Sequence, residues 1–219
     1  MKQPKILFIL ISLFLLSSQP QPVQSQGNQA SDRLELAEFL KWREIGPSVV
    51  GGRISDLAVD PTNANTLYVG TATAGIWKST NHGTTWNEIF TEEVTSSIGD
   101  VTIAPSNPNI VWVGTGEPQN RQSSPWGHGV FRSSDAGQTW QFLGLEKTRH
   151  ISRIKVHPKD PETAYIAAVG NLWKANPERG VFKTTDGGTT WEKVLHVDDY
   201  TGAIDLVMDP DDPETLFAA

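Results

Sequence analysis

Four segments of the chain align with one another without a gap, and this internal repeat constrains the fold more than any other feature. They start at Ile54, Ile98, Ile151 and Ala203 and read ISDLAVDPTNANTLYVG, IGDVTIAPSNPNIVWVG, ISRIKVHPKDPETAYIA and AIDLVMDPDDPETLFAA. Each contains two alternating or apolar runs around a centre rich in Pro, Asn and Asp, which is typical of a β-hairpin. The repeat therefore predicts one hairpin, formed by strands A and B, in each unit.

A second pattern follows each of the first three hairpins. A variable insert leads to GIWKS, GVFRS or GVFKT, and then to a box at residues 78–86, 132–140 and 183–191. The box pattern is basic, Ser/Thr, Ser/Thr, Asp/Asn, any residue, Gly, any residue, Thr, Trp. It predicts two further strands, C and D, joined by a turn. Four-stranded units that recur every 44 to 54 residues predict an all-β protein, a β-propeller of four-stranded blades. A stacked β-solenoid is the alternative.

The acidic residue of each box is interpreted as a structural turn residue and not as a catalytic acid. A carboxylate in this position can accept backbone N–H bonds, the glycine can supply a positive φ, and the Trp starts strand D and packs between sheets. Asn81 replaces the Asp in the first box, and a catalytic acid would not be needed in every blade. The predicted structural residues are Asn81, Gly83, Trp86, Asp135, Gly137, Trp140, Asp186, Gly188 and Trp191.

The N-terminal residues have the pattern of an export signal. Lys2 and Lys5 precede an apolar run at 6–16, and small residues precede a cleavage position after Ser25. Residues 1–25 are therefore predicted to be a signal peptide, with an uncleaved anchor as the alternative, and no second apolar segment follows. The chain has no Cys. We expect a secreted or periplasmic protein, of bacterial type, with no transmembrane segment in its mature form.

The remainder of the chain is assigned to a linker and an incomplete propeller. Residues 26–39 are the linker. Residues 40–46 match strand D and predict a closing strand, because Trp42 and Ile45 correspond to Trp86 and Ile89. Whole blades are predicted at 52–90, 97–145 and 150–196, and half a blade at 201–219. We expect the rest of the protein's own chain to be needed to close the ring, since open sheet edges are avoided.

The boxes, together with WREIGP and GGRISDLAVDP, resemble the sortilin N-terminal propeller family, and most closely its secreted bacterial, glycosyl-hydrolase-like members with BNR (Asp-box) repeats. The resemblance covers about residues 41–219 and implies the propeller fold. It does not imply one function, because similar boxes occur in sialidases, xyloglucan-cleaving enzymes, photosystem assembly factors and sorting receptors.

The sequence lacks catalytic residues that the enzymes with similar boxes require. Xyloglucanases of glycoside hydrolase family 74 have a catalytic Asp in a pattern like YARTDIGG, and the corresponding stretch here is YVGTATAG, with Ala72 in place of that Asp. Glycoside hydrolysis by either mechanism requires two carboxylates. Arg53 is only a weak counterpart of the sialidase arginines, and no Tyr nucleophile can be assigned. Without Cys, nothing corresponds to the disulfide-rich module of sortilin receptors.

The loops between strands B and C are the predicted binding face, because in propellers they surround the mouth of the channel. The second insert, 115–128, contains Glu117, Arg121, Trp126 and His128, and the third, 168–179, contains Asn171, Trp173, Glu178 and Arg179. Aromatic rings beside polar groups suit a carbohydrate or a peptide ligand. The alternative is that both Trp side chains only pack the loops down.

One position of strand A carries a charge in all four units. It is occupied by Asp56, Asp100, Arg153 and Asp205. The four side chains are expected either to form a charged ring at the channel entrance or to bond to neighbouring backbone and to Arg153. The ligand-binding candidates are therefore Arg53, Asp56, Asp100, Glu117, Arg121, Trp126, His128, Arg153 and Trp173.

The composition and the motifs of the chain argue against several classes of ligand. A net charge of −7 argues against nucleic acid as a partner. His128 and His150 lack metal-ligand spacing, DPDDP lacks the pattern of a calcium loop, and no cofactor fingerprint is present. We expect no metal and no cofactor. The preferred hypothesis is a binding module for a carbohydrate, peptide or protein ligand. The alternatives are a glycoside hydrolase that uses Glu117, a weak catalytic candidate, and a scaffold for envelope assembly.

Overall fold

The fold is described from a computed structural model, which covers residues 52–219. The predicted signal peptide, linker and closing strand lie outside the described residues. Fourteen strands follow in chain order within them. They are β1 (Ile54–Val59), β2 (Leu67–Thr71), β3 (Ile76–Ser79), β4 (Asn87–Glu88), β5 (Ile98–Ile103), β6 (Val111–Thr115), β7 (Val130–Ser133), β8 (Gln141–Phe142), β9 (Ile151–Val156), β10 (Ala164–Ala168), β11 (Gly180–Thr184), β12 (Glu192–Leu195), β13 (Leu206–Met208) and β14 (Leu216–Ala218). A short 3₁₀ helix at Glu146–Thr148 precedes β9.

Each run of four strands forms one antiparallel meander. The sheet orders are β1-β2-β3-β4, β5-β6-β7-β8 and β9-β10-β11-β12, and β13 pairs with β14 as a hairpin. The described residues are thus three four-stranded blades and half of a fourth, and the prediction of an all-β propeller is confirmed. The innermost strands β1, β5, β9 and β13 are neighbours in that order.

The core lies between the blades. One buried cluster joins blade 1 to blade 2 and includes Tyr68, Ile76 and Phe131. The next joins blade 2 to blade 3 around Trp112, which has no exposed surface, and a third joins blade 3 to the last hairpin. Each sheet therefore buries both of its faces where it has a neighbour on each side, which explains why β6 and β10 are buried along their whole length.

The last residue in the strand B repeat of one blade meets the first residue of strand A in the next, and their sizes are complementary. A Cβ added to Gly70 would lie 2.7 Å from Cγ2 of Ile98, and one added to Gly114 would lie 2.3 Å from Cγ2 of Ile151. In the third interface Ala167 takes the glycine position and the smaller Ala203 takes the isoleucine position, and both lie in the same buried cluster. Two interfaces thus place a glycine against an isoleucine, and the third has an alanine at each of the two positions.

Bulges recur at one place in strand A. The register shifts between Ile54 and Asp56 in the first blade, and between Ile98 and Asp100 in the second. In the third blade the shift falls between the partners of Ile151 and Arg153. A bulge re-aims the side chain that follows it, so the charged position of every complete blade has the same local geometry.

Candidate functional site

The second B–C loop, residues 116–129, is held against the segment that leads into β9. A Cβ on Gly116 would lie 2.0 Å from the carbonyl oxygen of Arg149, and one on Gly127 would lie 2.2 Å from the backbone of Thr115. The N–H of Gly127 donates to the carbonyl of Arg149 at 2.8 Å. Only glycine allows backbones to approach this closely. The two glycines therefore fix this loop beside Arg149 and His150.

The third B–C loop, residues 169–179, is closed by the buried side chain of Arg179. Its guanidinium donates to the carbonyl oxygen of Val169 at 2.5 Å, to that of Lys174 at 3.3 Å, and also to that of Asn171. Three backbone acceptors from one loop converge on a single planar donor group. Arg179 therefore holds the shape of the loop that carries Trp173.

Two indole rings lie half-exposed on these loops. Trp126 is 53% exposed and Trp173 is 49% exposed. The guanidinium carbon of Arg149 lies over the Trp126 ring, 4.9 Å from its centroid. The ring of His150 meets that of Trp173 edge-on at 6.1 Å. The adjacent residues Arg149 and His150 thus each contact one of the two rings, and the four side chains form what we call the aromatic strip: Trp126, Arg149, His150 and Trp173.

His150 is buried and neutral within the strip. Its Nδ1 lies 2.9 Å from the carbonyl oxygen of Gly170, and since a carbonyl only accepts, Nδ1 carries the proton and Nε2 is an acceptor. Within residues 52–219 that Nε2 has no hydrogen-bond partner. Burial lowers the pKa of His150, with smaller contributions from the positive charges of Arg149 and Arg179, while the Gly170 bond and Glu117 oppose the shift. The imidazole is therefore uncharged near neutral pH.

Glu117 is paired with Arg53 across two blades. Nε and Nη2 of Arg53 each donate to one carboxylate oxygen at 2.5 Å. The Glu117 side chain is 2% exposed, whereas that of Arg53 is 36% exposed. The hydrogen bond that Arg53 donates to Glu117 raises the pKa of Arg53. The structure brings these two candidate residues together, and it leaves both oxygens of Glu117 engaged by one guanidinium.

Arg153 forms ion pairs with the acidic residues at the same position of strand A in the other units. Its guanidinium lies 3.0 Å from Asp100, 3.1 Å from Asp205 and 3.4 Å from Asp56. Asp56 also accepts the backbone N–H of Val101 at 3.1 Å, and Asp100 accepts that of Ile154 at 3.2 Å. Of the two outcomes expected for these positions, the side chains adopt the second, bonding to the next blade and to Arg153.

The carboxyl groups around Arg153 differ in their pKa values. Burial raises the pKa of Asp100 to about 7, the charge of Asp56 adds to this, and hydrogen bonds from Thr102 and Ile154 and the charge of Arg153 oppose it. The backbone N–H of Leu206 lowers the pKa of Asp205, which is half-exposed. Burial works against the charge of Arg153, but the three carboxylates outweigh it and its pKa is raised.

Three other predicted positions lie apart from the strip. The ring of His128 packs on Phe142 of the outer strand β8, with centroids 5.0 Å apart. Arg121 is exposed, and its backbone N–H donates to Ser124 at 3.1 Å. Ala72 has no exposed surface. The position that corresponds to the family 74 catalytic Asp is therefore enclosed in this chain.

The boxes lie at the opposite end of the sheets, in the turns between strands C and D. Oδ1 of Asp135 accepts the backbone N–H groups of Gln138 and Thr139, at 2.9 and 2.8 Å, and Oδ2 accepts the Thr139 hydroxyl at 2.6 Å. These bonds, with Thr139 contributing most, lower the pKa of Asp135 to about 2. Asn81 accepts the equivalent N–H of Thr85 at 2.9 Å. Each of these side chains therefore accepts hydrogen bonds from within its own turn.

The Trp residues of the second and third boxes contact the preceding blade. The indole N–H of Trp140 donates to the carbonyl of Ile89 at 2.7 Å, and that of Trp191 donates to Leu143 at 2.8 Å. The Trp residues precede strand D by one residue and do not start it, since β8 begins at Gln141. Gly83, Gly137 and Gly188 have positive φ values, as do the residues before them, His82, Ala136 and Gly187.

Arg149 is the residue of this face that the sequence interpretation did not single out. It lies outside both inserts, immediately before strand A, where the first two blades have Gly52 and Ser96. The signal that could have identified it is a basic residue directly before His150, at the mouth-side end of strand A. Its backbone is also unusual, with φ 64° and ψ −47°, which no sequence pattern here predicts.

Neither a metal cluster nor a membrane helix is found in the described part of the chain. Residues 52–219 contain no group of three or more His, Cys, Asp or Glu side chains placed to hold a metal ion. Within the same residues no helix is long and apolar enough to cross a membrane.

Among the comparisons with known proteins, only the one with solved structures found similar proteins. No family model matches the chain, and no curated protein matches its sequence. A crystal structure described as an ancestral GH74 enzyme is 22% identical and superposes with a TM-score of 0.64, over 82% of this chain and 23% of that one. The GH74 enzyme of Niastella koreensis is 26% identical, with a TM-score of 0.57, over 76% of this chain and 26% of that one.

A protein described as nutrient-binding is also similar. An auxiliary nutrient binding protein from Bacteroides thetaiotaomicron is 15% identical, with a TM-score of 0.51, over 73% of this chain and 34% of that one. The chain thus spans between 23% and 34% of the length of these three structures. These similarities agree with the β-propeller architecture.

Proposed function

We propose that this chain is part of an exported β-propeller that binds a carbohydrate through its B–C loop face. The observation that supports the proposal best is the aromatic strip, in which two half-exposed indole rings flank Arg149 and His150. Sugar rings stack on exposed indoles, and nearby polar groups orient them. Export is an expectation from residues 1–25, and the similarity to a nutrient-binding propeller supports a binding role.

The loop anchoring supports the same proposal. Trp126 and Trp173 belong to loops that are fixed by Gly127 and Arg179, so that both rings are positioned before any ligand arrives. A site whose groups are held in place loses less entropy on binding than a flexible one. A packing role alone would leave little reason for about half of each ring to remain exposed.

A glycoside hydrolase is the alternative, and the similarity to two GH74 enzymes supports it. The residues of this chain favour it less. Ala72 is enclosed, and both oxygens of Glu117 are bonded to Arg53, whereas hydrolysis requires one free acid and a second carboxylate. Release of reducing sugar from polysaccharides, abolished by Glu117→Gln, would favour the enzyme and contradict a purely binding role.

The proposal is tested by affinity electrophoresis of the full-length protein in gels that contain a panel of neutral and acidic polysaccharides. We expect retardation by at least one of them, reduced in Trp126→Ala and Trp173→Ala. Trp86→Phe is the control, because Trp86 follows the box turn at the opposite end of its sheet. Equal retardation of all variants, or no retardation by any polysaccharide, would contradict the proposal.

A further inference from the structure

Arg149 stands apart from most arginines of the described chain because it has no carboxylate or carbonyl partner. Residues 52–219 contain six arginines. Arg53, Arg132 and Arg153 pair with carboxylates, and Arg179 donates to backbone carbonyls. Among the described residues, the remaining two, Arg121 and Arg149, make no such bond from their side chains, and both lie on the B–C loop face.

The backbone at Arg149 adopts a rare, strained conformation. Its φ of 64° and ψ of −47° are close to the rare γ-turn with positive φ. The turn is closed by a bond from the N–H of His150 to the carbonyl of Thr148 at 2.7 Å. A non-glycine residue is strained in such a conformation, and strain of this kind concentrates at binding sites. Here it accompanies a guanidinium placed over Trp126.

The local charge also differs from that of the whole chain. The chain carries a net charge of −7, whereas the two large inserts and residues 145–150 contain five basic and three acidic residues. Two of the three acidic residues are already paired, Glu117 with Arg53 and Glu178 with Lys193. These three segments therefore carry more positive than negative charge, although the neighbouring connections add Glu92, Glu93, Asp198 and Asp199. Their positive charge includes the unpaired guanidinium beside an indole.

We propose that the aromatic strip recognises an anionic saccharide, with the guanidinium of Arg149 binding the acidic group while the sugar ring stacks on the indoles. This inference rests on the proposed function and names the ligand class of the same site. A guanidinium binds carboxylate and sulfate groups through two parallel N–H bonds. A uronic acid and a sulfated sugar share that chemistry, whereas a neutral glucan or xylan offers nothing to Arg149. An acidic peptide would offer the charge but not the pyranose face.

Calorimetric titration of the full-length protein tests the proposal with matched ligands. Oligogalacturonate and its methyl ester have the same sugar rings, and the ester replaces each charged carboxylate with an uncharged group. A sulfated galactan is compared with its unsulfated parent. We expect the acidic member of at least one pair to bind about tenfold or more tightly than the neutral member, which corresponds to one charge-assisted bond. The pair that shows the difference identifies carboxylate or sulfate as the acidic group.

Arg149→Gly is the decisive variant, because glycine adopts a positive φ without strain and the loop should keep its conformation. We expect it to lose the preference for the acidic ligand with a melting temperature equal to or above that of the wild type. Arg149→Lys should retain part of the preference, and Arg121→Gln, the matched control, should retain most of it.

Two outcomes separate the inference from the proposed function. Equal affinity for acidic and neutral sugars, lost in Trp126→Ala but unchanged in Arg149→Gly, would overturn the inference and leave saccharide binding in place. Binding of an acidic peptide with no saccharide bound would overturn both, as would binding of no saccharide at all.

Discussion

Substitutions at Gly114 and Ile151, which meet between blades 2 and 3, test how size matching between blades contributes to stability. A Cβ on Gly114 would lie 2.3 Å from Cγ2 and 2.9 Å from Cβ of Ile151, so Gly114→Ala forces two buried groups into overlap. Overpacking of this kind costs about 1–3 kcal/mol. Ile151→Ala removes a side chain with no exposed surface and should cost about 2–5 kcal/mol.

The double variant should cost less than the sum of the two single variants. It recreates the alanine pair found between blade 3 and the last hairpin, at Ala167 and Ala203, because the added methyl group occupies part of the space that the isoleucine leaves. We expect a favourable coupling energy of at least about 1 kcal/mol, within the range for residues in contact.

Urea denaturation of the full-length protein, followed by Trp fluorescence, provides the four free energies of unfolding. Gly52→Ala combined with Ile151→Ala is the control, since a Cβ on Gly52 would meet only Oγ1 of Thr73, at 3.8 Å. That pair should be additive within about 0.5 kcal/mol. Additivity for Gly114 and Ile151 as well would show that the size match between blades does not carry the packing energy assigned to it.

Two further predictions concern carboxylates. Asp135→Ala should reduce the free energy of unfolding by about 0.5–2 kcal/mol, as loss of a capping side chain does. Asp135→Asn should cost much less, because Asn81 accepts the equivalent bond in the turn of the first box. The wild-type contribution of Asp135, whose pKa is about 2, is present above its ordinary value of 3.8 and lost as pH falls through 2, and urea midpoints between pH 2 and 5 measure it. Asp100, with a pKa of about 7, acts in the other direction. The unfolded chain releases its proton first, so stability declines as pH rises from about 4 to about 7, and an Asp100→Asn variant with the same decline would contradict this assignment.

Much of the fold could be predicted because repeated units share the same local chemistry. The turn residues between strands A and B and the boxes between C and D recur in sequence, and they specify strands whose order follows from short connections. Asp135 and Asn81 could be assigned to turns from the comparison of three boxes alone. The boxes also predicted that Trp140 packs between sheets, but not that its indole N–H bonds to Ile89 of the preceding blade, because that bond depends on how adjacent sheets stack.

The candidate site could be predicted only in part. Trp126 and Trp173 were identified because polar residues and aromatic residues cluster in two long inserts. Arg149 was not, because its position depends on Gly116 and Gly127 bringing a loop against a segment more than twenty residues further along the chain. Long-range backbone contacts of this kind leave no periodic pattern in the sequence. The pairing of Arg53 with Glu117, 64 residues apart, could not be predicted for the same reason.

The central claim, that ligand binds to the B–C loop face, is tested most directly by hydrogen–deuterium exchange of the full-length protein with and without a retarding polysaccharide fragment. The account predicts slower exchange at residues 115–128, 145–150 and 168–179, and unchanged exchange at the box turns 78–86, 132–140 and 183–191, at the other end of the sheets. Protection of the box turns with no change in the two long inserts would contradict it.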